Sequence, residues 1–176
     1  MELIDVLDEK GNATGEKKTI QQLHKDNNIH RAVHIWLIND KNEVLLQLRS
    51  PRMVRHPNKW HMSSAGHIDA DENAIEGAIR ELKEELGIDC KSEELEYLFT
   101  IDYSTRIENR EFQEVFLVKC NKQIKEFILQ EEEVSEIKWV EYKEFKEMVK
   151  NEVSNLVIHR DEYNQLFKKL DKRINL

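Results

Sequence analysis

Along the chain the apolar positions come first in short blocks of β character. Leu3 to Leu7 is one such block, closed by the turn sequence Asp8-Glu9-Lys10-Gly11, and a short helical stretch is predicted around Thr19 to Lys25. Val33 to Ile38 and Glu43 to Leu48 are apolar runs joined by Asn39-Asp40-Lys41-Asn42, a hairpin pattern. Arg49 to Lys59 breaks the rhythm as a polar loop that holds both prolines, Pro51 and Pro57. Trp60 to Ile68 returns to extended structure. Over Asn73 to Leu86 the spacing becomes helical, with Ala74, Ala78 and Leu82 four apart, Ile75, Ile79 and Leu86 alongside, and Gly87 placed as a C-terminal cap. Leu95 to Tyr103, Glu111 to Val118 and Ile137 to Val140 then read as strands. Tyr142 to Val149 and His159 to Ile174 read as helices, the last with Tyr163, Leu166, Phe167 and Leu170 on one core-facing side. The mixture predicts an α/β sandwich, a sheet covered by helices.

A chain of 176 residues without internal repeat or Gly/Ser-rich linker is expected to form one domain over 1–176. Its formal charge of −8 argues against polymeric nucleic acid as a partner, because a phosphate-backbone binder presents a basic surface. Cys90 and Cys120 are the only cysteines, with neither disulfide-framework nor zinc spacing. The start, Met1-Glu2-Leu3-Ile4-Asp5, lacks the basic and apolar regions of a signal peptide, and no apolar run approaches the roughly 20 residues of a bilayer span. A cytoplasmic location away from membranes is the expectation.

Charge is unevenly placed. Between Gly66 and Ile88 seven acids (Asp69, Asp71, Glu72, Glu76, Glu81, Glu84, Glu85) face two bases (Arg80, Lys83), a local charge of −5. On a helix Glu81, Glu84 and Glu85 share one side and repel one another. A divalent cation turns that repulsion into coordination, and hard carboxylate oxygens suit Mg²⁺, with Mn²⁺ possible. The plain alternative is a solvated acidic helix face.

The order Gly66, five residues, Glu72, seven residues, then Arg80-Glu81-Leu82-Lys83-Glu84-Glu85-Leu86-Gly87-Ile88 decides between them. It resembles the Nudix signature GX5EX7REUXEEXGU, where U is a bulky aliphatic residue, at all nine specified positions. The resemblance implies a Nudix-type α/β/α sandwich with a mixed sheet, the box occupying 66–88. It implies that Glu81, Glu84 and Glu85 hold the metal and that Gly66 lends a backbone carbonyl, while Glu72 and Arg80 tie loop to helix. The activity it implies is hydrolysis of a diphosphate linkage, the bound metal activating water and stabilising the departing phosphate. A carboxylate, Glu81 or one outside the box such as Glu111, takes the water's proton.

Leu3 to Gly15, His30 to Arg49 and Trp60 to His67 are further similar to the Nudix branch of type 1 isopentenyl-diphosphate isomerases and related hydrolases. Those isomerases carry a catalytic cysteine immediately before the Gly-His that opens the box, where this chain has Ala65. Alanine transfers no proton, so hydrolysis is expected over isomerisation. A vestigial box in a nucleotide-sensing module is a third reading. The same resemblance implies a second metal site at His24, His30, His67 and Glu111, although Asn109 replaces an acidic ligand; three ordinary polar histidines are the alternative.

Arg49, Arg52, Arg55, His56 and Lys59 make a basic loop in an acidic chain, and with His67 they are the candidates for binding substrate phosphates. Trp36 or Trp60 could pack a base or an apolar tail, or belong to the core. Glu131-Glu132-Glu133 could supply another late acidic ligand, but a three-Glu run before a strand is usually exposed, which is the expectation. The expected substrate is a small molecule, a nucleoside diphosphate linked to another group or a related organic diphosphate.

Overall fold

The computed structural model describes residues 2–174. The apolar run of the first hairpin gives β3 (His30–Ile38) and β4 (Glu43–Arg49), preceded by β1 (Ile4–Leu7), β2 (Ala13–Lys18) and the helix α1 (Ile20–Lys25). The extended stretch after the loop splits into β5 (Trp60–His61) and β6 (Ser64–His67). The helix α2 (Ala74–Leu86), the strands β7 (Leu95–Asp102), β8 (Glu111–Lys119) and β9 (Val134–Glu141), and the helices α3 (Tyr142–Lys150) and α4 (Arg160–Ile174) complete the order.

Two expectations need correction. Ala13–Lys18 is a strand that apolar alternation did not reveal, since ATGEKK is exposed at almost every position and pairs only with β1. Ile137 to Val140 is the middle of a longer strand that starts at Val134 and pairs with β4 throughout.

The main sheet is mixed. β3 runs parallel to β8 for nine registered pairs, from His30 opposite Glu111 to Ile38 opposite Lys119, while β4 pairs antiparallel with β9 and β7 with β8. β3 and β4 meet only at their hairpin, Ile38 opposite Val44. Beyond that point they part, and the segment carrying β5 and β6 fills the gap, β5 against β4 and β6 against β3. Ser63 spans the split, because its hydroxyl accepts from Leu37 N–H at 2.8 Å and donates to Leu45 C=O at 2.7 Å.

Each sheet face buries its own cluster. Val33, Ile35 and Leu37 pack with Ala78, Leu82 and Leu86 of α2 on one side. Trp36, Val115 and Leu117 pack with Phe145 of α3 and Tyr163, Leu166 and Leu170 of α4 on the other. This is the α/β/α sandwich expected, because alternate side chains of a strand point to opposite faces and both faces here are apolar.

Candidate active site

The helix α2 is bounded by strong local signals. The Asn73 side chain accepts from the Ile75 and Glu76 N–H groups while Glu76 reaches back to the Asn73 N–H, a capping box. Gly87 ends the helix in the left-handed region at φ 65°, its N–H and that of Ile88 donating to the carbonyls of Lys83 and Leu82. With its ends fixed, the helix turns its apolar stripe to the sheet and sets Glu81, Glu84 and Glu85 along the flank that meets β6.

Arg80 organises this flank. Its guanidinium donates to Glu72 from Nε at 3.1 Å and Nη2 at 3.0 Å, to Glu81 at 2.7 Å, to Glu84 at 3.1 Å and to the His67 carbonyl at 2.8 Å. Loop, helix and β6 are thus held by one side chain. Glu81 and Glu85 are buried, and Glu84 is exposed. Burial pushes Glu81 up to about 7 against the pull of Arg80, and pushes Glu85, beside Glu81, up to about 8. Glu85 also accepts from the Ala65 N–H at 3.1 Å. Gly66 has no side chain because a Cβ there would collide with the Glu81 carboxyl group.

These residues border a cavity of about 730 Å³. Gly66, Arg80, Glu81 and Glu84 line it with Glu111, His67 and Glu133, and Glu85 lies just behind. Glu133 is a half-buried wall residue, not part of an exposed run; burial raises its pKa. From the basic loop the cavity takes Arg49, Arg55 and His56. Arg52 is exposed and stands 3.7 Å from Glu132, and Lys59 lines a smaller neighbouring pocket with His159 and Arg160. Neither tryptophan considered for stacking reaches the cavity. Trp36 is fully buried with its indole N–H on Glu162, and Trp60 is a core residue covered by Lys138.

His24, His30 and His67 do come together, each offering a ring nitrogen within 4.8 Å of the others. Both nitrogens of His30 and Nε2 of His24 are buried without a hydrogen-bond partner. Glu111 starts β8 but is buried, with its Oε2 at 3.5 Å from His30 Nε2 and its Oε1 accepting from Asn109 at 2.6 Å and Gln113 at 2.5 Å. Burial opposes its ionisation, yet His30, His34 and Gln113 hold it down at about 2. Burial together with His30 lowers His67 to about 3, so its imidazole is neutral and able to ligate.

A second polar group escaped the sequence reading. His34, His61 and His159 also line the cavity, with Glu162 buried behind His34. The available sign was the β alternation itself, which puts His34 on the same face as His30.

The NUDIX domain family matches residues 28–159. The chain belongs to this family. Nudix hydrolase 3 of Arabidopsis thaliana is 37% identical over 176 residues, covering 94% of this chain, which spans only 23% of that protein's length. A prenyl-diphosphate phosphatase of Methanosarcina mazei is 33% identical over 76% of each chain. An isopentenyl-diphosphate Δ-isomerase of Photorhabdus laumondii is 26% identical over 85% of this chain and 83% of its own. Among solved structures, one from Deinococcus radiodurans superposes with a TM-score of 0.73 at 18% identity, covering 95% of this Nudix chain and 98% of its own, which shows a shared fold. No helix among the described residues is long and apolar enough to cross a membrane.

Proposed function

We propose that this Nudix hydrolase cleaves a diphosphate linkage in a nucleoside diphosphate joined to another group, or in a related organic diphosphate, with Mg²⁺ as its cofactor. The observation that carries the reading is the buried Glu81 and Glu85 beside exposed Glu84, of which Arg80 pairs with Glu81 and Glu84 while Glu85 has no ion pair among the described residues. Burying carboxylates with so little compensation is costly, and the raised pKa values of Glu81 and Glu85 express that cost. An all-oxygen donor set fits Mg²⁺ or Mn²⁺, so Glu81, Glu84 and Glu85 would hold the ion. Bound there, it would lower the pKa of water and stabilise charge on the phosphoryl oxygens.

The remaining roles fall to the chain's own groups. Arg80 and Glu72 fix the loop and helix, and Gly66 leaves room for Glu81 to stand against β6. Arg49, Arg55 and His56 orient substrate phosphates from the basic loop. Glu111, beside His30 and held down at about 2, is ionised at working pH. Glu81 or Glu111 takes the water's proton, and Glu111 also serves as an anchor for cations. The partnerless nitrogens of His24 and His30, with His67 and Glu111, make a nitrogen-rich second site that suits Mn²⁺ or Zn²⁺ better than Mg²⁺. The whole of 1–176 works as one unit in this reading, acting in the cytoplasm, which cell fractionation checks.

The test is a panel of nucleotide sugars, dinucleotides, nucleoside triphosphates and prenyl diphosphates with phosphate and pyrophosphate detection. Hydrolysis of at least one is expected, and Glu84→Gln or Glu85→Gln should reduce turnover about 100-fold or more with the fold intact. Turnover like that of the parent in both variants would remove the metal assignment. Isomerisation of isopentenyl diphosphate in place of any hydrolysis would favour the isomerase reading despite Ala65.

A further inference from the structure

His34, His61, His159 and Glu162 form a wall of the cavity that the carboxylate chemistry leaves unused. His34 stands on β3 directly opposite Ala65 of β6 in the sheet register. Its Nδ1 lies 2.7 Å from Oε2 of Glu162, which α4 supplies, while the other oxygen of Glu162 accepts the Trp36 indole N–H at 2.7 Å. Glu162 is fully buried, and His34 is 6% exposed, at the cavity that it lines. Beside it, Nε2 of His61 and Nε2 of His159 are 2.9 Å apart, so a single proton lies between them. The Nδ1 atom of His61 is buried without a partner.

A carboxylate as enclosed as Glu162 needs a compensating charge, and no lysine or arginine pairs with it among the described residues. His34 fills that role. Burial alone would press its imidazole down, but Glu162 outweighs burial and raises it, and His34 in turn lowers Glu162. His61 and His159, which burial keeps well below the ordinary histidine range, stay neutral. With Nδ1–H committed to Glu162, the Nε2–H of the protonated ring has no acceptor among the described residues, and the ring brings a positive charge to the cavity that it lines. The groups facing His34 are Glu162 on α4, His159 just before it, His61 on β5, Glu111 on β8 and Arg49 on β4.

We propose that this wall is an oxyanion subsite in which the Nε2–H of His34, backed by Glu162, donates to a phosphate oxygen of the substrate. The subsite is separate from the α2 carboxylates, and it rests on the diphosphate reading of the same cavity. Substrate is then gripped at two places of opposite character: cation-bound oxygens at α2 and a directly hydrogen-bonded oxygen at β3. Glu162 is a positioning residue, since it acts only through His34.

The experiment uses the full chain without divalent cations, labelled with ¹⁵N at histidine side chains, and inorganic phosphate as the probe. Without metal the acidic flank repels phosphate, which leaves the basic loop and the histidine wall as its binding groups, and the His34 resonances and His34→Gln report on the wall alone. Phosphate should move the His34 ring resonances, and His34→Gln should weaken its affinity about tenfold or more, as expected for loss of a charge-assisted hydrogen bond. Glu162→Gln should bring down the pH at which phosphate binding is half lost, an effect that simple loosening of α4 would not produce. Glu84→Gln, which should cut turnover about 100-fold, should not weaken phosphate binding, since it removes no donor from this wall and takes one charge from the repelling flank. Thermal unfolding is measured for each variant, and the resonance shift in the unaltered protein decides the matter if the buried variants do not fold. Phosphate that leaves His34 unmoved at tens of millimolar, or binds His34→Gln as well as the parent, overturns the subsite while leaving the hydrolase reading intact. Conversely, a protein that binds phosphate at His34 yet hydrolyses nothing on the panel loses only the hydrolase reading.

Discussion

Gly66 and Arg80 work as a pair at the start of the site. One provides empty space and the other fills its surroundings with directed N–H groups, and Glu81 is held between them. In Gly66→Ala the new methyl group must displace the Glu81 carboxyl. Turnover should drop by about tenfold or more, with a melting temperature close to that of the parent because nothing in the core is altered; an unchanged turnover would show that Glu81 need not stand there. These residues were legible in the sequence because the box is local: one helix and the loop before it fix every distance. The histidine wall was not. Glu162 is 128 positions from His34, and only the parallel sheet and the packing of α4 bring them into contact. Glu133 was misjudged for the same reason, since a glutamate in an acidic run carries no sign of the cavity that β9 turns it toward.

At the scale of elements, α2 owes its register to its two ends. Replacing the cap in Asn73→Ala removes two backbone hydrogen bonds and should cost about 1 kcal/mol in chemical denaturation. Because the carboxylates lie two and three turns further on, the same variant should retain most of its turnover; a large loss would mean that fraying spreads along the helix. Helices and buried strands were read well from periodicity, since both faces of the sheet demand apolar residues. β2 was invisible because a strand paired only to β1 and facing solvent has no such demand on it. The break between β5 and β6 was equally hidden, as it follows from the parting of β3 and β4, not from any local preference of residues 62 and 63.

Across the whole molecule the buried ionisable groups oppose one another. Burial raises Glu81 to about 7 and Glu85 to about 8 from an ordinary 4.5, so from pH 4.5 to about 8 the folded state holds protons that the unfolded chain has released, and stability from this pair falls as pH rises, a loss that the more numerous histidines outweigh below pH 6.5. Burial lowers His67 to about 3, His159 to about 4 and His61 well below 6.5, so below pH 6.5 the unfolded chain binds the extra protons and stability falls as pH drops. Glu111, lowered to about 2, steepens the loss below 4.5. Each unmatched proton changes stability by about 1.4 kcal/mol per pH unit. Metal-free protein should therefore melt highest near pH 6.5, and Mg²⁺ should raise the melting temperature more at pH 8 than at pH 6, because it binds the ionised carboxylates. Calorimetry with chelator and with Mg²⁺ checks this; an equal gain at both pH values contradicts it. The segment that fills the gap between β3 and β4 gives this charge pattern a spatial meaning. Within seven residues it carries His61 on one wall and Gly66 and His67 on the other, with Ser63 stitched to both flanking strands. In the two-ended grip proposed above, the spacing between the ends of the substrate is set by one short peptide that cannot stretch. In that grip the peptide is a built-in ruler, and a residue inserted between Met62 and Ala65, which also shifts Gly66 off Glu81, should alter both turnover and the length of substrate accepted.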